Sequence, residues 1–239
     1  MLFVWVAAGL AGGLLVNYLA DVLPSTRTLS RPIWWPINGL KFRVYLARLR
    51  VIAVIVLSAG AVGLIYQHPS PDFPLLFLEI IILYFLLVAV IDIEYRVVMH
   101  PVSLAGVILL GAIGLTRHSI LDTVLGGLAG FGFMLALYFL GDWLGRLMAR
   151  ARNEKWEDTA LGFGDVNLAG VIGLLTGWPG VIIALFAGMV AAAIFSAAYL
   201  LWMVINRKYS AFSSIPYAPF LCLGAVLTVI TGVYGLIGG

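Results

Sequence analysis

Residues 74–92 read PLLFLEIIILYFLLVAVID. Apart from Glu79 the run stays apolar until it ends on Asp92, and a stretch of this length and character reads as one membrane-crossing helix. On either side of it, apolar runs alternate with charged or Pro/Gly-rich breaks. The expected spans are about 2–23, 45–66, 74–92, 101–116, 120–143, 166–177, 180–205 and 215–237. The fold class is therefore all-α, a polytopic integral membrane protein with about eight transmembrane helices. Composition points the same way. Of 239 residues, 63% are hydrophobic and 10% charged, more apolar surface than a soluble domain of this length could hide.

The basic residues set the orientation. Thirteen of the 14 Lys and Arg fall in or flank the breaks after the first, third, fifth and seventh spans, and Arg117 alone falls on the other side. The positive-inside rule makes those breaks cytoplasmic and puts both termini outside. The cytoplasmic loops are expected at about 24–44, 93–100, 144–165 and 206–214, with residues 1–239 forming a single membrane-embedded domain. The opening apolar run has no basic leader and no small-residue cleavage site after it, so a retained helix is expected rather than a signal peptide. The net charge of +3 is spread between spans rather than gathered in a patch, which gives no footing for nucleic acid. Cys222 is the single cysteine and His68, His100 and His118 have no ligand spacing, so no metal site is expected.

Two expected spans, 101–116 and 166–177, are too short for a hydrocarbon core of about 30 Å at a rise of 1.5 Å per residue. Such helices thin the bilayer or begin below its surface, which brings nearby carboxylates to membrane depth. Carboxylates in or beside spans need a reason. For Asp21, Glu79 and Asp122 an interfacial place or a nearby arginine suffices. Asp142, between Gly141 and Gly145, is either a buried partner or interfacial. Asp165 differs because it follows Gly162-Phe163-Gly164. Two glycines permit positive φ and the close approach of another backbone just before a helix begins, leaving room for an extended peptide. Asp92 ends its helix on the same expected side. Two carboxylates at one depth could share a proton, one acting as base toward water and the other polarising a carbonyl.

Four segments together resemble the type IV prepilin peptidases, a family of aspartyl proteases with a Gly-x-Gly-Asp motif. They are Gly13 to Asn17 followed by Leu23-Pro24, then Ile91-Asp92, then Gly162 to Leu168, and finally Ile215 to Leu221, reading IPYAPFL where the family has IPFGPFL. The resemblance implies Asp92 and Asp165 as the catalytic pair, with Gly162 and Gly164 beside the substrate backbone. It implies a prepilin or pseudopilin precursor as partner, of the kind used in type IV pili and type II secretion, together with membrane lipid. The implied location is the inner (cytoplasmic) membrane, with the active site toward the cytoplasm. Glu94 is a candidate for attracting the basic leader, as are Glu154, Glu157 and Asp158, although Arg96, Arg150, Arg152 and Lys155 share those loops.

The chain also departs from the family pattern. Met99-His100 stands where the family usually has Pro-Asp, and Asn167 where it has Lys. The first loop has no cysteine, whereas bifunctional members carry two Cys-x-x-Cys pairs there, associated with zinc and N-methylation. No separate zinc or methyltransferase loop is expected. Proteolysis needs no cofactor, and S-adenosylmethionine would serve only if methylation were retained. Presenilin-like and signal-peptide-peptidase-like enzymes share Gly-x-Gly-Asp, but their Tyr-Asp and Pro-Ala-Leu motifs are not matched by Ile91-Asp92 and Pro216-Tyr217. A proton-coupled transporter would call for internal repeats, and none is visible. An inert assembly subunit could retain both aspartates.

Overall fold

In a bilayer every backbone polar group must find its partner within the protein, so long apolar runs fold as helices. The computed structural model describes residues 2–26, 49–67, 73–152, 162–206 and 216–232. Among them it is all-helical, with eight helices: α1 Leu2–Thr26, α2 Leu49–Gln67, α3 Leu75–Tyr95, α4 His100–Leu115, α5 Ile120–Arg152, α6 Phe163–Thr176, α7 Gly180–Ile205 and α8 Ala218–Thr231. Five of these (α1, α2, α3, α5 and α7) are long and apolar enough to cross a membrane, and the other three are shorter apolar helices. Large apolar side chains such as Val56, Leu57, Phe186 and Ile194 face outward, as they would toward lipid.

The helices form two groups. α1, α2 and α3 pack together, and α3 reaches across to α8, while α6 is enclosed by α4, α5, α7 and α8. α6 is 14 residues long, about 21 Å at helical rise, and Val166, Leu168, Ala169, Val171, Ile172 and Leu175 are fully buried along it. Its shortness follows from its place. It lies in protein rather than spanning lipid.

Between membrane helices there is little hydrophobic drive, so close backbone approach carries the packing, and small residues permit it. On α5, Gly126 and Gly130 abut the backbone of α6 at Gly173 and Ala169. On α1, a Cβ added to Gly13 would stand 2.9 Å from Ile55 Cα of α2. The same seam buries Asn17, whose Nδ2 donates to Gly13 O at 2.9 Å and to Val51 O at 3.4 Å. Ser58 of α2 donates its hydroxyl to Gly9 O of α1. The N-terminal resemblance segment is thus a packing seam.

Several boundaries move from the expected ones. α5 continues to Arg152, whereas a span ending at 143 and a loop from 144 were expected. Residues 143–152 contain no proline and, Gly145 apart, are rich in Leu, Met, Ala and Arg, which propagate a helix into polar surroundings. α8 starts at Ala218 rather than 215, with a Pro at N1/N2, and stops at Gly232 in the left-handed region (φ 60°), short of 237. α3 runs on to Tyr95 and is closed by Arg96 at φ 54°, ψ 39°, whose N–H donates to Asp92 O at 2.8 Å. Of the loop expected at 93–100, residues 96–99 are non-helical. Most of the first loop, residues 153–161 with Glu154, Glu157 and Asp158, and the loop from 207 to 214 lie outside the described residues.

Candidate active site

The site is built where three helices end or begin. Asp92 lies in the last turn of α3, buried at 5% exposure. Its Oδ2 accepts a hydrogen bond of 3.1 Å from the N–H of Ala218, the first residue of α8. Asp165 lies in the first turn of α6, buried at 8% exposure. Its N–H donates to Gly162 O at 3.0 Å, and its carboxylate accepts in return from the Gly162 amide. That reciprocal bonding is the acidic half of a capping box, with Gly162 at the N-cap and Asp165 three residues on. Asp165 therefore sits at the N-terminus of α6, and Asp92, itself in the last turn of α3, meets the N-terminus of α8. In each case the helix dipole places positive potential there, opposed at Asp92 by the C-terminal end of α3. Asp92 is also within electrostatic reach of Asp165.

The start of α6 is anchored by aromatics. The Phe163 ring meets Phe131 and Tyr138 of α5 edge-on, with centroids 6.5 Å and 6.0 Å away. Gly162 and Gly164 are not in the left-handed conformation that their type permits. Gly162 has φ −73°, ψ 138°, and the positive-φ glycines among the described residues are Gly177 and Gly232. What Gly164 provides is space, and Val98 of this chain takes it. A Cβ there would stand 2.7 Å from Val98 Cβ and 2.8 Å from Val98 O. Gly162 is exposed, and a Cβ there would meet Asp165 Oδ2 at 3.3 Å.

Glu94 does not face the pair of aspartates unengaged. Arg50 of α2 donates to Glu94 Oε2 at 2.6 Å and to Asp21 Oδ1 of α1 at 2.7 Å, joining three helices at the end that carries Asp92. Asp142 pairs with Arg146 one turn on at 2.7 Å. Arg50→Ala is expected to lower unfolding free energy by about 1 kcal/mol, the scale of partly exposed ion pairs. Thermal unfolding in detergent, set beside peptidase activity, checks this: a modest loss of stability with activity retained is the expected result.

Some neighbours were not singled out for a role by the sequence. Tyr217 is within electrostatic reach of Asp165, and the buried Cys222 of both aspartates. The signal for Tyr217 was the IPYAPFL segment, whose prolines mark a helix start and which Cys222 directly follows. Two of the departures from the family pattern also meet in space, His100 Nδ1 lying 3.4 Å from Asn167 Nδ2. Both line an open, largely apolar cleft of about 780 Å³ between α4, α5 and α6, whose walls include Val107, Leu128 and Leu174.

Residues 79–197, about half of the chain, match the model of the type IV leader peptidase family. No curated protein and no solved structure matches the chain. The matched stretch contains Asp92, Gly162, Gly164 and Asp165 and runs from α3 into α7. With its apolar helices long enough for several membrane crossings, the chain belongs to the type IV leader peptidase family.

Proposed function

We propose that this leader peptidase is an intramembrane aspartyl endopeptidase that removes the leader of pilin-like precursors at the cytoplasmic face of the membrane, with Asp92 and Asp165 as the reacting pair. The observation that carries the reading is the meeting of these two buried carboxylates from separate parts of the chain, each against a helix N-terminus. One carboxylate takes a proton from the attacking water. The other, protonated, donates to the scissile carbonyl as its oxygen gains charge. Burial keeps bulk water away and strengthens both interactions. Proteolysis on this scheme draws on no metal or cofactor. The absence of cysteine from residues 24–44 speaks against a zinc-bearing methyltransferase loop, and S-adenosylmethionine has a place only if methylation is retained.

The chemistry needs both aspartates on one side of the membrane, which makes topology the first test. Reporters fused after residues 40, 97, 155 and 209 are expected to read cytoplasmic, and reporters at Asp72 or Gly177 external. An external reading at 97 or 155 would separate the aspartates and end the proposal.

A further inference from the structure

Residues 216–221 lie beyond the matched stretch, and they include no acid and no base stronger than the phenol of Tyr217. What they bring to the site is backbone. Ala218 is the first residue of α8, and at that position a helix leaves its N–H without an acceptor of its own. The other early amides of α8 are accounted for. Pro219 has none, and the N–H groups of Phe220 and Leu221 donate to Tyr217 O at 3.1 Å and 3.4 Å. The Ala218 N–H is thus left for a group from elsewhere, and the group it holds is the carboxylate of Asp92, 126 residues away in sequence.

A donor orients its acceptor only as well as it is itself held. α8 is seated on α7 with no side chain between their backbones at Gly188 and Gly224. A Cβ on Gly188 would stand 2.9 Å from Leu221 Cα and from Phe220 O, and a Cβ on Gly224 would stand 2.9 Å from Gly188 Cα. Along its inner face Ala218, Leu221, Cys222 and Ala225 are buried. A helix packed backbone to backbone cannot slide or turn without losing that contact.

We propose that Ala218 is a positioning residue, whose backbone N–H, fixed by the Gly188–Gly224 contact between α7 and α8, orients the Asp92 carboxylate for reaction with Asp165. The proposal rests on the reading of Asp92 and Asp165 as the reacting pair. It acts through geometry and not through contact with substrate, so it governs turnover rather than affinity.

The test uses the full-length protein in detergent and a purified pilin-like precursor. Replacing Ala218 by lactic acid turns the amide into an ester, which removes the N–H and keeps the methyl group. That N–H makes no intrahelical bond, but the ester carbonyl at Tyr217 accepts more weakly from the Phe220 and Leu221 amides. Phenyllactic acid in place of Phe220, which removes one of those bonds and keeps the Ala218 N–H, is therefore the control and is expected to keep kcat within about twofold. The expected result is a fall in kcat of about tenfold or more, the size of one hydrogen bond to a carboxylate, with KM within about twofold. Ala218→Gly keeps the N–H and is expected to keep kcat within about twofold. Gly224→Ala, placed away from the carboxylates, is expected to lower kcat as the ester does by unseating α8. If the wild type cleaves and the ester keeps its kcat, or if Ala218→Gly loses as much as the ester, the positioning role is overturned. If the wild type does not cleave any precursor, it is the proteolytic reading that falls.

Discussion

Asp92→Asn and Asp165→Asn are each expected to abolish precursor cleavage, by roughly four orders of magnitude in kcat, and the double variant to be hardly worse than either. The reason is that in the proposed mechanism the two carboxylates act as one device. A base without an acid opposite it, or an acid without a base, leaves the water unactivated or the carbonyl unpolarised. Asn preserves shape and volume in both buried positions, so the loss is one of chemistry and not of fold. The pH–rate profile of the wild type then reports apparent values that belong to the pair and to neither residue alone. Two controls follow from the geometry. Asp142→Asn removes a partner of Arg146 on α5, and Glu94→Gln loosens the Arg50 contact, so both are expected to keep at least part of the activity. Full activity in Asp165→Asn would remove that residue from the mechanism, and complete loss in Asp142→Asn would bring a third carboxylate into it.

Gly164→Ala is expected to cost about 100-fold in activity. The new methyl would meet Val98 at 2.7 Å to its Cβ and 2.8 Å to its carbonyl oxygen. The carbonyl is backbone, in the non-helical turn that follows α3 and Asp92, and it cannot move aside as a side-chain tip would. The first turn of α6 must therefore shift against the end of α3, and a displacement near 1 Å between reacting groups is enough for a loss of this order. Gly162→Ala makes a useful contrast, since among the described residues its methyl meets only the Asp165 carboxylate, at 3.3 Å, and a loss of several-fold is expected. Val98→Gly removes one of the two clashes and is expected to restore part of what Gly164→Ala loses. Parallel kinetics on the three variants check the order. A fully active Gly164→Ala would mean that the fit of Val98 against α6 has no part in setting the site.

Much of this fold could be read from hydropathy, because in a bilayer apolar length and backbone satisfaction leave few choices. The span at 180–205 agrees with α7 at both ends. Asp92 was legible as the charge that closes an apolar run, and Asp165 as the acid behind two glycines. Other features depended on contacts that no local pattern encodes. α5 runs on to Arg152 because hydropathy marks where lipid ends, not where a helix does. The glycines before Asp165 suggested positive φ and space for a peptide, whereas the space at Gly164 is filled by Val98 and neither glycine takes positive φ. Glu94 has the charge to attract a leader, but its engagement with Arg50 arises from a helix 44 residues away. Ala218 could not be found from its side chain at all, because its contribution is an amide.

On the proposed function, this chain cuts a pilin-like precursor at a defined bond using Asp92 and Asp165. The most direct measurement is the mass of the mature N-terminus after a purified precursor is incubated with wild-type protein and, side by side, with Asp92→Asn and Asp165→Asn. One new mass is expected from the wild type, set by hydrolysis between the basic leader and the apolar helix, and uncut precursor from both variants. A precursor left whole by the wild type, or the same product from either variant, would contradict that function.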